Sequence, residues 1–201
     1  MIRRLAVVCL MLLPMHAWAA DWGTVARSVR ESIVEVKSDV GSCTGFVIDN
    51  ERDHVAVAAH CAGADEKHIF ADSMPVKIRH KDVKHDTLVL YVEGLDRPAL
   101  KLAKNDPIVG EEVASYGWGY DMNQPLFRVA HISAKDVTVP QYENARYFAI
   151  DAAFVGGQSG GPVVNALGEV VMMVQLGSGI VGWGIGAETL DDKIGRWFSK
   201  K

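Results

Sequence analysis

The chain has 201 residues, sets 21 Lys and Arg against 25 Asp and Glu for a net charge of −4, and is 49% hydrophobic and 23% charged. This is ordinary globular usage and long enough to bury a core, which excludes a disordered, collagen-like or low-complexity protein. The scattered acidic excess argues against a surface for nucleic acid or an anionic membrane, because both require clustered cations.

Met1 to Arg4 form a short positive start, Leu5 to Met15 an apolar run, and Ala17-Trp18-Ala19 a small-x-small cleavage pattern, so residues 1–19 read as a secretory signal peptide. The apolar run, ended by Pro14 and His16, is shorter than the roughly 20 residues of a membrane span, and no stable membrane anchor is expected. Cleavage after Ala19 removes Arg3 and Arg4 and leaves 19 cations against 25 anions, or −6. The expected product is an exported chain of about 182 residues, periplasmic or secreted. Cys9 leaves with the leader, so Cys43 and Cys61 remain in a compartment that permits disulfides and are expected to pair. The loop they close is worth about 3 kcal/mol in the chain-entropy description.

In the mature chain, Trp22, Val25, Val29 and Ile33 share one face of an N-terminal helix. Strand-length apolar or alternating runs follow at Ser32–Lys37, Gly45–Ile48, His54–Ala59, Pro75–His80 and Thr87–Val92. Glu93 to Gly110, with Gly94, Pro98 and Pro107, reads as a connection between two halves. A second series comprises Glu112–Tyr116, Leu126–Ala134, Tyr147–Ile150, Pro162–Val164, Val170–Leu176 and Ile180–Ile185. Leu190, Ile194, Trp197 and Phe198 fall on one stripe of a C-terminal helix over about 188–199. The expectation is an all-β chain of two units with five or six strands each and a helix at either end. The scarcity of central helices excludes a doubly wound parallel sheet, and no GxGxxG fingerprint is present, so no nucleotide cofactor is expected.

Chemistry concentrates at Gly156-Gly157-Gln158-Ser159-Gly160-Gly161-Pro162. Glycines around a serine suit a tight turn that exposes the hydroxyl and aims adjacent N–H groups at one point, although such a turn alone is more often only a turn. A serine hydroxyl attacks only when a base removes its proton and a carboxylate orients that base. His60 ends the apolar run Val55–Ala59 beside Cys61, and Asp86 stands at the mouth of the run Thr87–Val92. The other mature histidines lie among charged or loop residues. No histidine follows Ser159, which removes the Ser, acid, His order of α/β-hydrolases, and the subtilisin order would need an α/β fold. His60, Asp86, Ser159 is the order that remains.

Ala58-Ala59-His60-Cys61 with Cys43 upstream, Asp86-Thr87-Leu88-Val89-Leu90 and Gly157 to Pro162 together resemble the three signature regions of the chymotrypsin-like serine proteases. Asp151-Ala152-Ala153 and Gly184-Ile185-Gly186-Ala187 are similar to the bacterial HtrA/Deg-like branch. The resemblance implies two six-stranded antiparallel β-barrels with the site between them, spanning about 30–100 and 110–187 of a peptidase domain over 20–201. It implies His60 as general base and acid, Asp86 as its orienter, Ser159 as nucleophile, and the N–H groups of Gly157 and Ser159 as an oxyanion hole. Cys43 and Cys61 match the cysteine pair of that family. The implied activity is serine endopeptidase action on polypeptides, with no cofactor.

Departures from the pattern carry information as well. Gln158 stands where digestive members have an acid, and no Ile-Val-Gly-Gly start exists, so zymogen activation of that kind is not expected. The protein is then competent after leader removal, or its Phe154–Gln158 loop orders on a trigger. About 15 residues follow Gly186, so PDZ-dependent regulation does not carry over. By alignment with the family, Ala153 forms the floor of the specificity pocket. It is no acid, which points to a small or aliphatic side chain before the cleaved bond. Gln175 and Gly177, within Val174–Gly177, are either the edge that pairs with substrate or an ordinary strand. Two rival readings stand beside this one: a catalytically silent peptide-binding relative, and a metalloenzyme using His80, Asp82 and His85, for which no HExxH is present.

Overall fold

The computed structural model describes residues 20–49, 53–64, 66, 68–120, 122–139 and 146–198. The signal peptide read at residues 1–19 lies outside them. A helix α1 (Trp22–Arg30) opens the described chain, with Asp21 as its cap accepting from the Thr24 N–H at 3.1 Å. Val25 and Val29 form its buried face, while Trp22 donates from Nε1 to Glu112 at 2.7 Å and meets the Phe127 ring, which seats the helix on the second half of the molecule. Ile33, which falls both on the stripe of this helix and in the expected strand run Ser32–Lys37, begins the strand. Residues 31–32 form a turn, and the β-branched run Ile33-Val34 beyond it is better placed on a pleated surface.

The first half is a seven-stranded antiparallel sheet of β1 (Ile33–Ser38), β2 (Gly41–Asp49), β3 (His54–Ala58), β4 (Phe70–Ala71), β5 (Met74–Pro75), β6 (Lys77–Asp82) and β7 (Thr87–Tyr91). Its spatial order is β5-β4-β1-β2-β3-β7-β6. The two edge strands, β5 and β6, are consecutive in the chain with only Val76 between them, so the sheet must curl until its edges approach. This differs from the expected six-stranded barrel. The additional hairpin β4–β5 has strands of two residues each, too short to show a period in the sequence.

The second half is a closed six-stranded barrel, β8 (Glu112–Gly117), β9 (Leu126–Val137), β10 (Tyr147–Ile150), β11 (Pro162–Val164), β12 (Val170–Gly177) and β13 (Gly182–Gly186), in the order β10-β13-β12-β11-β8-β9. Between the sheets, the Leu100 N–H donates to Val47 and the Ala103 N–H to Val170, so this connection is stitched to both. α2 (Ala187–Ile194) follows with a further tight turn over Gly195–Trp197, and its Ala187, Leu190 and Ile194 are buried against β12, β13 and β7. The resulting β architecture is chymotrypsin-like. Each sheet has an apolar interior, one around Val34, Val55, Val57 and Leu88, the other around Val113, Ile132, Val163 and Met172.

Candidate active site

His60 sits in a one-turn helix at Ala59–Ala62, directly after the fully buried β3. Asp86 ends the turn before β7, and β3 pairs with β7 so that Ala58 faces Thr87. That register brings the two residues together. His60 Nδ1 lies 2.7 Å from Asp86 Oδ2, the His60 N–H donates to Asp86 Oδ1 at 2.8 Å, and the Ala59 N–H donates to the Asp86 carbonyl at 3.1 Å. An ionised carboxylate only accepts, so its partner Nδ1 carries the ring proton and Nε2 keeps a lone pair. The Asp86 side chain is only 4% exposed, against 37% for His60, so the acid lies behind and the base faces the cleft.

Asp86 is held in a left-handed conformation with φ of +50°. Two braces keep it there. Within the turn, Asp82 accepts from the His85 N–H at 3.1 Å and pairs with His85 Nδ1 at 2.8 Å. Burial pushes the Asp82 carboxyl up, but these bonds outweigh it and hold the group below its usual range. From the other sheet, Gln175 Nε2 donates to the carbonyls of His85 at 2.6 Å and Asp86 at 3.1 Å. Gln175 is 1% exposed, so its side chain braces the acid from behind and does not line the cleft.

Ser159 belongs to the loop between β10 and β11, and its hydroxyl makes a long hydrogen bond, 3.4 Å, to the Gln175 carbonyl. Its main chain is tied to the first sheet, since the Thr44 N–H donates to the Ser159 carbonyl at 2.9 Å. That carbonyl also lies 3.9 Å from the sulfur of Cys61, the residue after His60. Cys61 is disulfide-bonded to Cys43 with Cα atoms 6.1 Å apart, which ties the His60 turn to β2. Gly160 has a φ of +82°, and a Cβ there would stand 2.4 Å from the Thr44 carbonyl, so only glycine lets the loop approach β2 this closely.

Peptide planarity then decides where the loop N–H groups point, since each N–H is opposed to the carbonyl of its own peptide unit. The Gly156 carbonyl accepts from the Tyr120 N–H at 2.8 Å, which turns the Gly157 N–H the other way. The Gln158 carbonyl accepts from the Gly161 N–H at 3.0 Å, which does the same for the Ser159 N–H. Neither N–H donates to another group among the described residues. Gly157 holds this arrangement at a φ of +98°, and its carbonyl is fixed by Thr44 Oγ1 at 2.8 Å. The Gln158 side chain folds back to accept from the Val155 N–H at 3.0 Å, so the loop is braced from within. Such a site can take a proton from a hydroxyl at His60 and hold a negative oxygen between two N–H donors.

Sequence reasoning did not single out Thr44, named Phe154 only as the start of the Phe154–Gln158 loop, and took Gln175 as part of a substrate edge or an ordinary strand without its side-chain bonds to the Asp86 turn. Ala153, expected as a pocket floor, has its carbonyl held by Arg128, and Phe154 beside it fills the space next to Gly177. His80, Asp82 and His85 do not assemble into a metal-ligand group among the described residues. The one grouping at ligand spacing there is Cys43, His60 and Cys61, whose sulfurs are committed to the disulfide.

The profile of the trypsin-like peptidase domain matches residues 43–173. A probable periplasmic serine endoprotease, DegP-like, from Hahella chejuensis is 35% identical over 133 residues, covering 63% of this chain and 26% of that protein. The pro-apoptotic serine protease nma111 of Aspergillus clavatus is 28% identical over 191 residues, covering 80% of this chain and 18% of its own length. The chain thus spans about a quarter or less of these relatives. Among solved structures, the Rv3671c protease in its inactive form superimposes with a TM-score of 0.74 at 23% identity, covering 87% of this chain and 93% of that one. The active form of Rv3671c from M. tuberculosis gives 0.74 at 20% identity, covering 88% and 85%. At these identities the structures speak for the fold alone.

Proposed function

The chain belongs to the trypsin-like peptidase family, and on that premise we propose that it is an exported serine endopeptidase acting through His60, Asp86 and Ser159. The observation that carries this reading is the 2.7 Å pairing of His60 Nδ1 with the buried Asp86, beside a serine loop whose Gly157 and Ser159 N–H groups donate to no group among the described residues. His60 Nε2 takes the Ser159 proton as Oγ attacks the peptide carbonyl, and Asp86 holds the ring and stabilises the imidazolium. The oxygen that becomes negative sits between the N–H groups of Gly157 and Ser159. His60 then protonates the leaving amine, and water hydrolyses the acyl-Ser159 ester by the same route in reverse.

Rotation about the Ser159 side chain exchanges its long bond to Gln175 for one to His60, since catalytic hydrogen bonds commonly tighten only when substrate is bound. That same bond favours the second reading, a silent peptide-binding relative in which the hydroxyl stays turned away. Export is supported by the leader read at residues 1–19, by the disulfide, and by relatives named as periplasmic. Residues 20–201 are read as the peptidase domain, with polypeptide as substrate.

Fluorophosphonate labelling followed by cleavage of a denatured protein tests the proposal. The wild type is expected to label at Ser159, and Ser159→Ala to lose labelling and about 10⁶-fold in turnover while its circular dichroism is unchanged. A folded wild type that neither labels nor cleaves would establish the silent binder.

A further inference from the structure

We propose that Phe154 sets the substrate class of this site, restricting cleavage to bonds that follow glycine or alanine; the inference rests on the peptidase reading above. Phe154 lies five residues before Ser159 and is 5% exposed. Its neighbours are Gly177 and Gly182, which face each other at the turn end of the β12–β13 hairpin. A Cβ on Gly177 would stand 2.5 Å from Phe154 Cβ, and one on Gly182 would stand 2.0 Å from its ring. Phe154 therefore occupies the room that both missing side chains leave, with its ring against Gly182 and its Cβ and main chain against Gly177.

That room is where the side chain before the cleaved bond must go. β11 pairs with β12 only from Val170 to Met173, and Val174 is bonded to Gly160 and Gly161, so the stretch from Gln175 to Gly177 is unpaired on that side. An extended substrate can add to it there as a further strand. With its carbonyl held between the Gly157 and Ser159 N–H groups and its backbone along Gln175–Gly177, the residue before the bond projects between the Phe154–Gly157 loop and Gly177. Phe154 fills that space. A hydrogen or a methyl group fits over the ring, and a branched or aromatic side chain meets it.

The test uses the full secreted chain and peptides that vary only at the residue before the bond. The wild type is expected to favour Gly and Ala over Leu and Phe in kcat/KM by about 10- to 200-fold. Phe154→Ala is expected to raise cleavage after Leu or Phe relative to cleavage after Ala by a similar factor, with labelling of Ser159 by a fluorophosphonate showing that the variant is folded and active. Phe154→Leu, a milder change should the alanine variant not fold, is expected to admit Val ahead of Phe. Equal wild-type cleavage after Ala and Phe, or an unchanged preference in a variant that labels normally, would overturn the inference and leave the peptidase reading intact. A wild type that fails to label overturns the peptidase reading, and the inference with it.

Discussion

The side-chain amide of Gln175 and its main-chain carbonyl face two members of the candidate triad, the amide reaching the Asp86 turn and the carbonyl accepting from Ser159. The amide oxygen is buried without a hydrogen-bond partner, a cost of about 1–3 kcal/mol that the fold tolerates in exchange for holding a left-handed Asp86. Gln175→Met preserves volume and removes both donors. It is expected to lower kcat by up to about 10²-fold with KM little changed, because the Asp86 turn shifts while the substrate strand stays in place. Steady-state kinetics and the rate of Ser159 labelling check this, and an unchanged labelling rate would confine the amide to a role in folding. His60, Asp86 and Ser159 were legible because acyl transfer demands those residue types and the fold fixes their chain order. Thr44 and the side-chain contacts of Gln175 and Phe154 were not, since each contact is with a segment remote in sequence, and nothing in the local pattern reports the packing.

At the scale of elements, strands longer than four residues were readable from their apolar runs, and the helices from their stripes, with boundaries shifted by tertiary contacts. The start of α2 shows why. Its cap residue is Gly186, which has no side chain to offer, and the missing acceptor comes from Asp106, whose Oδ1 takes the Glu188 N–H at 2.8 Å. No local signal announces a cap supplied from 82 positions away. Burial lifts the Asp106 carboxyl above its usual range despite the Glu188 N–H bond, and the charges of Glu188 and Asp136 add to the rise. The stability this group contributes is thus present below the carboxylate range and is lost as pH rises through its folded-state value. Asp106→Asn keeps an acceptor and removes the charge. Thermal unfolding is expected to show the variant more stable than wild type at pH 7, on a scale of about 2–4 °C per kcal/mol, with the advantage gone near pH 3. A variant less stable at pH 7 would show that the charge itself, at the positive end of α2, is what the helix needs.

For the whole molecule, the arrangement that matters is the seam between the curled sheet and the barrel, because His60 and Asp86 belong to one and Ser159 to the other. Thr44, fully buried, closes that seam with a single hydroxyl that donates to Gly157 and accepts from the Trp118 N–H at 2.9 Å. Thr44→Val keeps the shape and leaves both main-chain groups buried and unpaired. The expected loss is on the order of 2 kcal/mol, a fall of about 4–8 °C in Tm for a chain of this size. The Gly157 carbonyl belongs to the peptide unit that links the two donor N–H groups, so its release loosens the loop between them, and kcat is expected to drop, at most toward the roughly 10²- to 10³-fold cost of a missing oxyanion donor. Thr44→Ser restores the hydroxyl and should recover most of the activity even where it gives up some packing. Unfolding and kinetics on the pair separate the two effects: equal kcat in the valine and serine variants would mean that the seam carries stability alone and that the loop aims Gly157 without it.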